Sequence, residues 1–259
     1  MRSGLHLLLL FPLSAILACS SGPTTPTGGS GNAPVTGNYL FTISPAASGA
    51  TTFTGSLSVS GTSVSGVFQY FNPGTLCAPG SPDIPFTGVI SNSVMTLTSG
   101  SFSGSVATLT IQLPLTTTTA GTIVASGTAV IAGGTCALAS SPTVAAYVPS
   151  FTGTFGGTLA GPVTGTVSLG LTQSTANADG KFPINASVTF TAPTCSFSLS
   201  GITGLASGYN IQLGAGSSAP NNQISMNVAT STTPGTLSLT VLSGLPCANG
   251  SYTGSITRQ

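Results

Sequence analysis

Residues 52–71 read TFTGSLSVSGTSVSGVFQYF. Phe53, Gly55, Leu57 and Val59 share one parity, and Thr54, Ser56, Ser58 and Ser60 share the other. That is a period of two, the repeat of a strand with one covered face, and not the 3.6 of a helix. Ser60-Gly61-Thr62 interrupts it, and the alternation then resumes as far as Phe71. Two strands, Thr52–Ser60 and Ser63–Phe71, joined by a tight turn, make a hairpin.

The same pattern extends outward in both directions. Before and after the hairpin we read strands at Tyr39–Ser44, Ile84–Ile90, Ser93–Ser99, Val106–Leu115, Gly121–Ala132 and Thr143–Val148. A second series follows at Phe151–Leu159, Val163–Leu171, Phe182–Thr191, Ser196–Ile202, Ser207–Leu213, Gln223–Thr230, Gly235–Leu242 and Ser251–Thr257. No segment after residue 36 carries helical periodicity with caps. The two series share landmarks. Phe53-Thr54-Gly55-Ser56-Leu57 resembles Val163-Thr164-Gly165-Thr166-Val167, and Ile111-Gln112-Leu113 recurs as Ile211-Gln212-Leu213. Thr75-Leu76-Cys77 and Thr194-Cys195 follow the third strand of each series, and Cys136-Ala137 and Cys247-Ala248 approach the last. A duplication accounts for that order.

The expected fold is therefore all-β: two similar antiparallel meanders of about eight strands, over residues 37–148 and 149–259. Eight strands close readily into a small barrel, which removes exposed edges. A two-sheet sandwich is the alternative. Short connections favour the barrel, since none has the length of a Greek-key crossover. Each module holds its own cysteine pair, in loops that a closed meander places at one end. The expected disulfides are Cys77–Cys136 and Cys195–Cys247, as an oxidising compartment would allow.

Residues 1–18 form a short positive start, an apolar run and a small residue before Cys19. The run is too short, and too broken by Pro12, for a membrane-spanning helix, and reads as a secretory signal. Ile16-Leu17-Ala18-Cys19 resembles the lipobox of bacterial lipoproteins, although Leu17 is larger than the usual residue there. The resemblance implies a lipidated (palmitate-bearing) Cys19 as mature N-terminus. Ser20 in the next position, where Asp is absent, implies sorting to the outer membrane. Residues 19–36 comprise that cysteine and a Gly, Ser, Thr and Pro tether; as a flexible coil its 17 residues span roughly 20–25 Å.

Composition excludes several classes of function. From Cys19 onward the charged residues are Asp83, Asp179, Lys181 and Arg258, and there is no His, Glu or Trp. General acid–base chemistry needs such groups placed together, and the two carboxylates stand far apart in sequence, in different modules. A Ser–His–Asp arrangement lacks its His. Paired cysteines leave no zinc set, and isolated cations make no nucleic-acid patch. We expect no catalytic residues, no metal, no cofactor and no nucleic-acid partner. Disorder is excluded as well, because hydrophobic residues make up 40% of the chain and alternate with hydroxyls.

The whole chain is similar to a group of uncharacterised acidobacterial-type lipoproteins. They have a lipobox, a tether and two β-repeats with alternating Gly-Thr/Ser strands such as Phe151-Thr152-Gly153-Thr154-Phe155. Members often carry Trp where this chain has Tyr39 or Tyr252. The resemblance implies no activity.

The remaining readings are a cell-envelope binding, adhesion or structural module, anchored to the membrane through Cys19, or a calycin-like carrier of a small apolar ligand inside a barrel. Small interior residues would leave room for that ligand. A lipid-facing outer-membrane barrel is disfavoured by the few aromatics. Tyr70 and Phe71 are the candidate ligand-mouth residues; the bland reading makes them core at a strand end. Asn177-Ala178-Asp179-Gly180-Lys181 has one carboxylate, too few for calcium, and reads as an Asp-Gly turn. The Thr116–Thr119 run reads as a bend.

Overall fold

The computed structural model describes residues 36–44, 50–71, 83–100, 108–115, 124–133, 137–214, 223–229, 235–243 and 245–259. Cys19, Cys77, Cys136 and the Thr116–Thr119 run lie outside them, as do the leader and nearly all of the tether.

Strands β1 (Gly37–Ile43), β2 (Thr51–Ser60), β3 (Ser63–Phe71), β4 (Asp83–Ser91), β5 (Val94–Ser99), β6 (Thr108–Pro114), β7 (Val124–Ala132) and β8 (Leu138–Val148) form the first sheet. The second holds β9 (Gly153–Ala160), β10 (Gly165–Gln173), β11 (Phe182–Ala192), β12 (Cys195–Ser207), β13 (Asn210–Gly214), β14 (Gln223–Ala229), β15 (Gly235–Ser243) and β16 (Gly250–Arg258). Every neighbour in sequence is an antiparallel neighbour in space. In the first sheet β1 also pairs with β8, with Phe41 opposite Ala145. In the second, β9 pairs with both β10 and β16. Both meanders thus close into rings, and the sandwich alternative falls.

Alternation puts the apolar parity inside. Tyr39, Phe41, Phe53, Phe68 and Phe86 are buried in the first barrel, with Phe41 and Phe68 centroids 4.7 Å apart and Phe68 and Phe86 5.5 Å apart. Leu169, Val188, Phe190, Ile211, Leu239 and Tyr252 fill the second. These side chains are larger than the small residues expected inside. Where rings need room, the facing strand carries glycine: a Cβ on Gly165 would stand 2.5 Å from the Phe190 ring.

Several strand limits differ from the expected ones, for local reasons. β8 begins at Leu138 and not Thr143, running through Pro142 with a register shift opposite Ala129 and Ile131. β12 runs on to Ser207, past Ile202, because Gly201, at φ 67°, takes up the extra residue of a bulge opposite Ala186 and Val188. β13 accordingly starts after the Gly208-Tyr209 turn, at Asn210. One proposed landmark also fails. Ile111-Gln112-Leu113 lies on the sixth strand of its barrel and Ile211-Gln212-Leu213 on the fifth of its own. Gly88 and Gly204 are the better match: each stands on a fourth strand, and a Cβ there would meet the next strand's carbonyl at 2.0 Å.

Cys195 opens β12 just after the Pro193-Thr194 turn, and Cys247 lies in the loop before β16. They are joined by a disulfide, with Cα atoms 5.3 Å apart.

Candidate functional site

Outward positions of a barrel normally face water, but the first barrel has a patch that does not. Leu40, Thr54, Gln69 and Asp83 stand side by side across β1, β2, β3 and β4. Thr54 and Gln69 are 3% and 5% exposed, and Asn38 beside them is 2% exposed. Two turns of the second barrel cover them: residues 174–181 between β10 and β11, and Gly208-Tyr209 between β12 and β13.

Each turn is shaped by its own sequence. The Asn177 side-chain oxygen accepts from the backbone N–H groups of Asp179 (3.1 Å) and Lys181 (2.9 Å), and Gly180 follows at φ 74°. This is the Asp-Gly turn that the sequence suggests. Gly208 closes the other turn at φ 56°. Both glycines are also points of contact. A Cβ on Gly180 would lie 2.1 Å from the Val67 carbonyl oxygen, and one on Gly208 would lie 2.6 Å from the Thr54 methyl. At Gly180 only a residue without a side chain lets backbone approach backbone this closely, and at Gly208 the Thr54 side chain takes the space.

The covered polar groups are matched one to one. Asn38 Nδ2 donates to the Gly208 carbonyl at 2.9 Å, and its Oδ1 accepts from the Gly208 N–H at 3.1 Å. Ser207 Oγ donates to Gln69 Oε1 at 3.0 Å. That uses its one proton, so the 2.5 Å contact between Thr54 Oγ1 and Ser207 Oγ has Thr54 as donor. Gln69 Nε2 donates to Asp83 Oδ1 at 3.2 Å and to the Asp179 carbonyl. The carboxamide of Gln69 is thereby engaged at both ends. Leu40 completes the seam by packing on the second barrel's core.

The covalent connection is fixed as well. Val148 and Phe151 are buried in the second core. Phe151 N–H donates to Gln173 Oε1 at 2.9 Å. Arg258 donates to the Ser150 and Thr152 carbonyls at 2.8 and 2.6 Å and lies 5.5 Å from the Phe155 ring centroid.

Beside the seam runs a groove of about 710 Å³. Gln69 and Lys181 stand at one side, and Leu205, Asn210, Gln212, Thr236, Ser238, Thr253 and Ser255 line its floor on the outer face of β12, β13, β15 and β16. A second hollow of about 520 Å³ follows the seam near Asn38, Tyr147, Ser150 and Asn177.

The expected site residues are distributed differently. Tyr70 is half-buried against the first core, its ring 5.3 Å from Phe53. Burial raises its hydroxyl pKa, opposed by the Thr51 hydroxyl. Phe71 ends β3. The residue that reaches the seam is Gln69, pointing the other way by alternation. The two carboxylates lie in different barrels, but their residues share a neighbour: the Asp83 carboxylate and the Asp179 backbone carbonyl both accept from Gln69, and Lys181 lines the same groove. Among the described residues, no three His, Cys, Asp or Glu side chains group as metal ligands. The sequence did hold a signal for the seam: Asn38 and Gln69 are amides at outward strand positions. Its partners cannot be read without the three-dimensional register. No protein-family model, curated protein or solved structure matches the chain.

Proposed function

We propose that this chain is a non-catalytic binding module of the cell envelope, anchored through a lipid on Cys19, whose contact surface is the groove beside the barrel seam. The groove carries the reading. It is concave, Gln69 of the first barrel stands at its edge, and its floor presents amides and hydroxyls on rigid strands of the second. Sites are commonly built where two rigid bodies meet. The carrier alternative would use the barrel interior, but Phe41, Phe68 and Phe86 occupy that space in the first barrel and Phe190 and Tyr252 in the second. This favours the outer surface. A non-catalytic role is supported by the structural work of the charged groups: Asp83 accepts from Gln69, and Arg258 holds the connecting segment.

Two measurements test this. Detergent-phase partition of the full chain is expected to be lost in Cys19→Ala; retention in the detergent phase refutes the anchor. A photoreactive phenylalanine replacing Ser238 in the full chain is expected to give crosslinked adducts in cells, while the same residue replacing Thr96, on β5 of the first barrel and outside the groove lining, gives none. Adducts at neither position, or equally at both, refute the groove as contact surface. Turnover of esters, peptides or glycosides abolished by Asp83→Asn or Asp179→Asn would refute the non-catalytic reading.

A further inference from the structure

We infer that the groove takes a neutral glycan, a ligand class that rests on the binding-module reading above. Its floor is an ordered array. By backbone register the lining residues Leu205, Gln212, Ser238 and Thr253 stand in one row, with β14 running between Gln212 and Ser238. Asn210, Thr236 and Ser255 stand in a parallel row. Neighbours on adjacent strands are about 4.8 Å apart, the strand spacing, which is close to the length of one pyranose unit in an extended glycan.

The chemistry of the array selects the ligand. A hydroxyl both donates and accepts, and a carboxamide does each at separate atoms. Sugar hydroxyls have the same double character, so they match such a floor in many orientations. Anionic polymers need several cations along their path, and among the described lining residues the cation is Lys181. The accessible wall is mainly carbon, which suits the C–H faces of sugar rings, and the polar groups set in it are amides and hydroxyls. Leu205, 41% exposed, gives one apolar spot for the C–H face of a sugar ring. A peptide adding as a strand requires a free sheet edge, and the pairing of β16 with β9 closes this sheet. The chain has no Trp to serve as an aromatic platform for a sugar ring. In the array, hydrogen bonds across several strands take the place of an aromatic platform, so each contact is individually weak.

Saturation-transfer NMR with the full chain in a sugar-free detergent tests this, using neutral hexasaccharides (cello-, laminari-, manno-, xylo-, malto- and chito-) and hexagalacturonate. At least one neutral hexasaccharide is expected to receive transfer. Gln212→Ala and Thr253→Ala, both exposed and so harmless to folding, are each expected to weaken its affinity about three- to tenfold. Thr96→Ala should leave it unchanged. Silence from all neutral hexasaccharides, or binding that ignores both groove substitutions, overturns the inference. Binding of hexagalacturonate alone, weakened by the groove substitutions, overturns the neutral class while leaving the binding-module reading intact. Loss of that wider reading would show separately, as absence of the Ser238 photo-adduct.

Discussion

At the scale of the residue, Gln69 is the most consequential side chain outside the two cores. It accepts from Ser207 and donates to Asp83 and the Asp179 carbonyl. Gln69→Ala takes the acceptor from the Ser207 hydroxyl and the donor from the Asp179 carbonyl, at about 1–3 kcal/mol for each group left unpaired. We expect a lowered urea midpoint, with the loss largest in a probe of the 174–181 turn. Tyr252 gives a second prediction. It is 1% exposed, and its hydroxyl donates to the Ala248 carbonyl at 2.7 Å. Burial raises its pKa above the ordinary value of about 10. The unfolded chain then loses this proton first as pH rises, so the stability it contributes is complete below about pH 10 and falls above it. Tyr70 acts in the same direction. Urea titrations should show a steeper alkaline loss in the parent protein than in Tyr252→Phe.

At the scale of the element, the Cys195–Cys247 bridge ties the turn before β12 to the loop before β16. A closed loop of this size contributes about 4 kcal/mol in the chain-entropy model. Cys195→Ser with Cys247→Ser should lower stability by about that amount, and dithiothreitol should reproduce the loss in the parent protein. The strands and their order were legible in the sequence, because Phe53, Leu57, Val64 and Phe68 alternate with hydroxyl residues that cannot all be buried. Strand ends were less legible. Pro142 and Gly201 look like stops, yet a bulge lets each strand continue. The seam was least legible. Asn38, Thr54 and Gln69 are ordinary outward residues until the register of β1, β2 and β3 sets them side by side and two distant turns cover them. Gln69 follows Phe68 and precedes Tyr70, and by alternation it points away from the core that both of them pack in.

At the scale of the whole molecule, the two barrels share more than a connecting segment. Val148 and Leu40 belong to the first sheet but pack on the second core. Calorimetry of the full chain should therefore show these barrels melting in one transition, and Asn38→Ala combined with Gln69→Ala should split it in two. A single unsplit peak in the double variant would show that the apolar contacts suffice. Ring closure has a further consequence, for the order of folding. β1 cannot find β8, nor β9 find β16, until the whole intervening meander has formed, so each ring is sealed by its most distant pairing. Such non-local closure is slow. Until it happens, two strand edges per barrel stay open on a chain with almost no charge to keep copies apart. The hazardous moment for this protein is therefore its maturation, and a chaperone that shields β9 and β16 would protect it then.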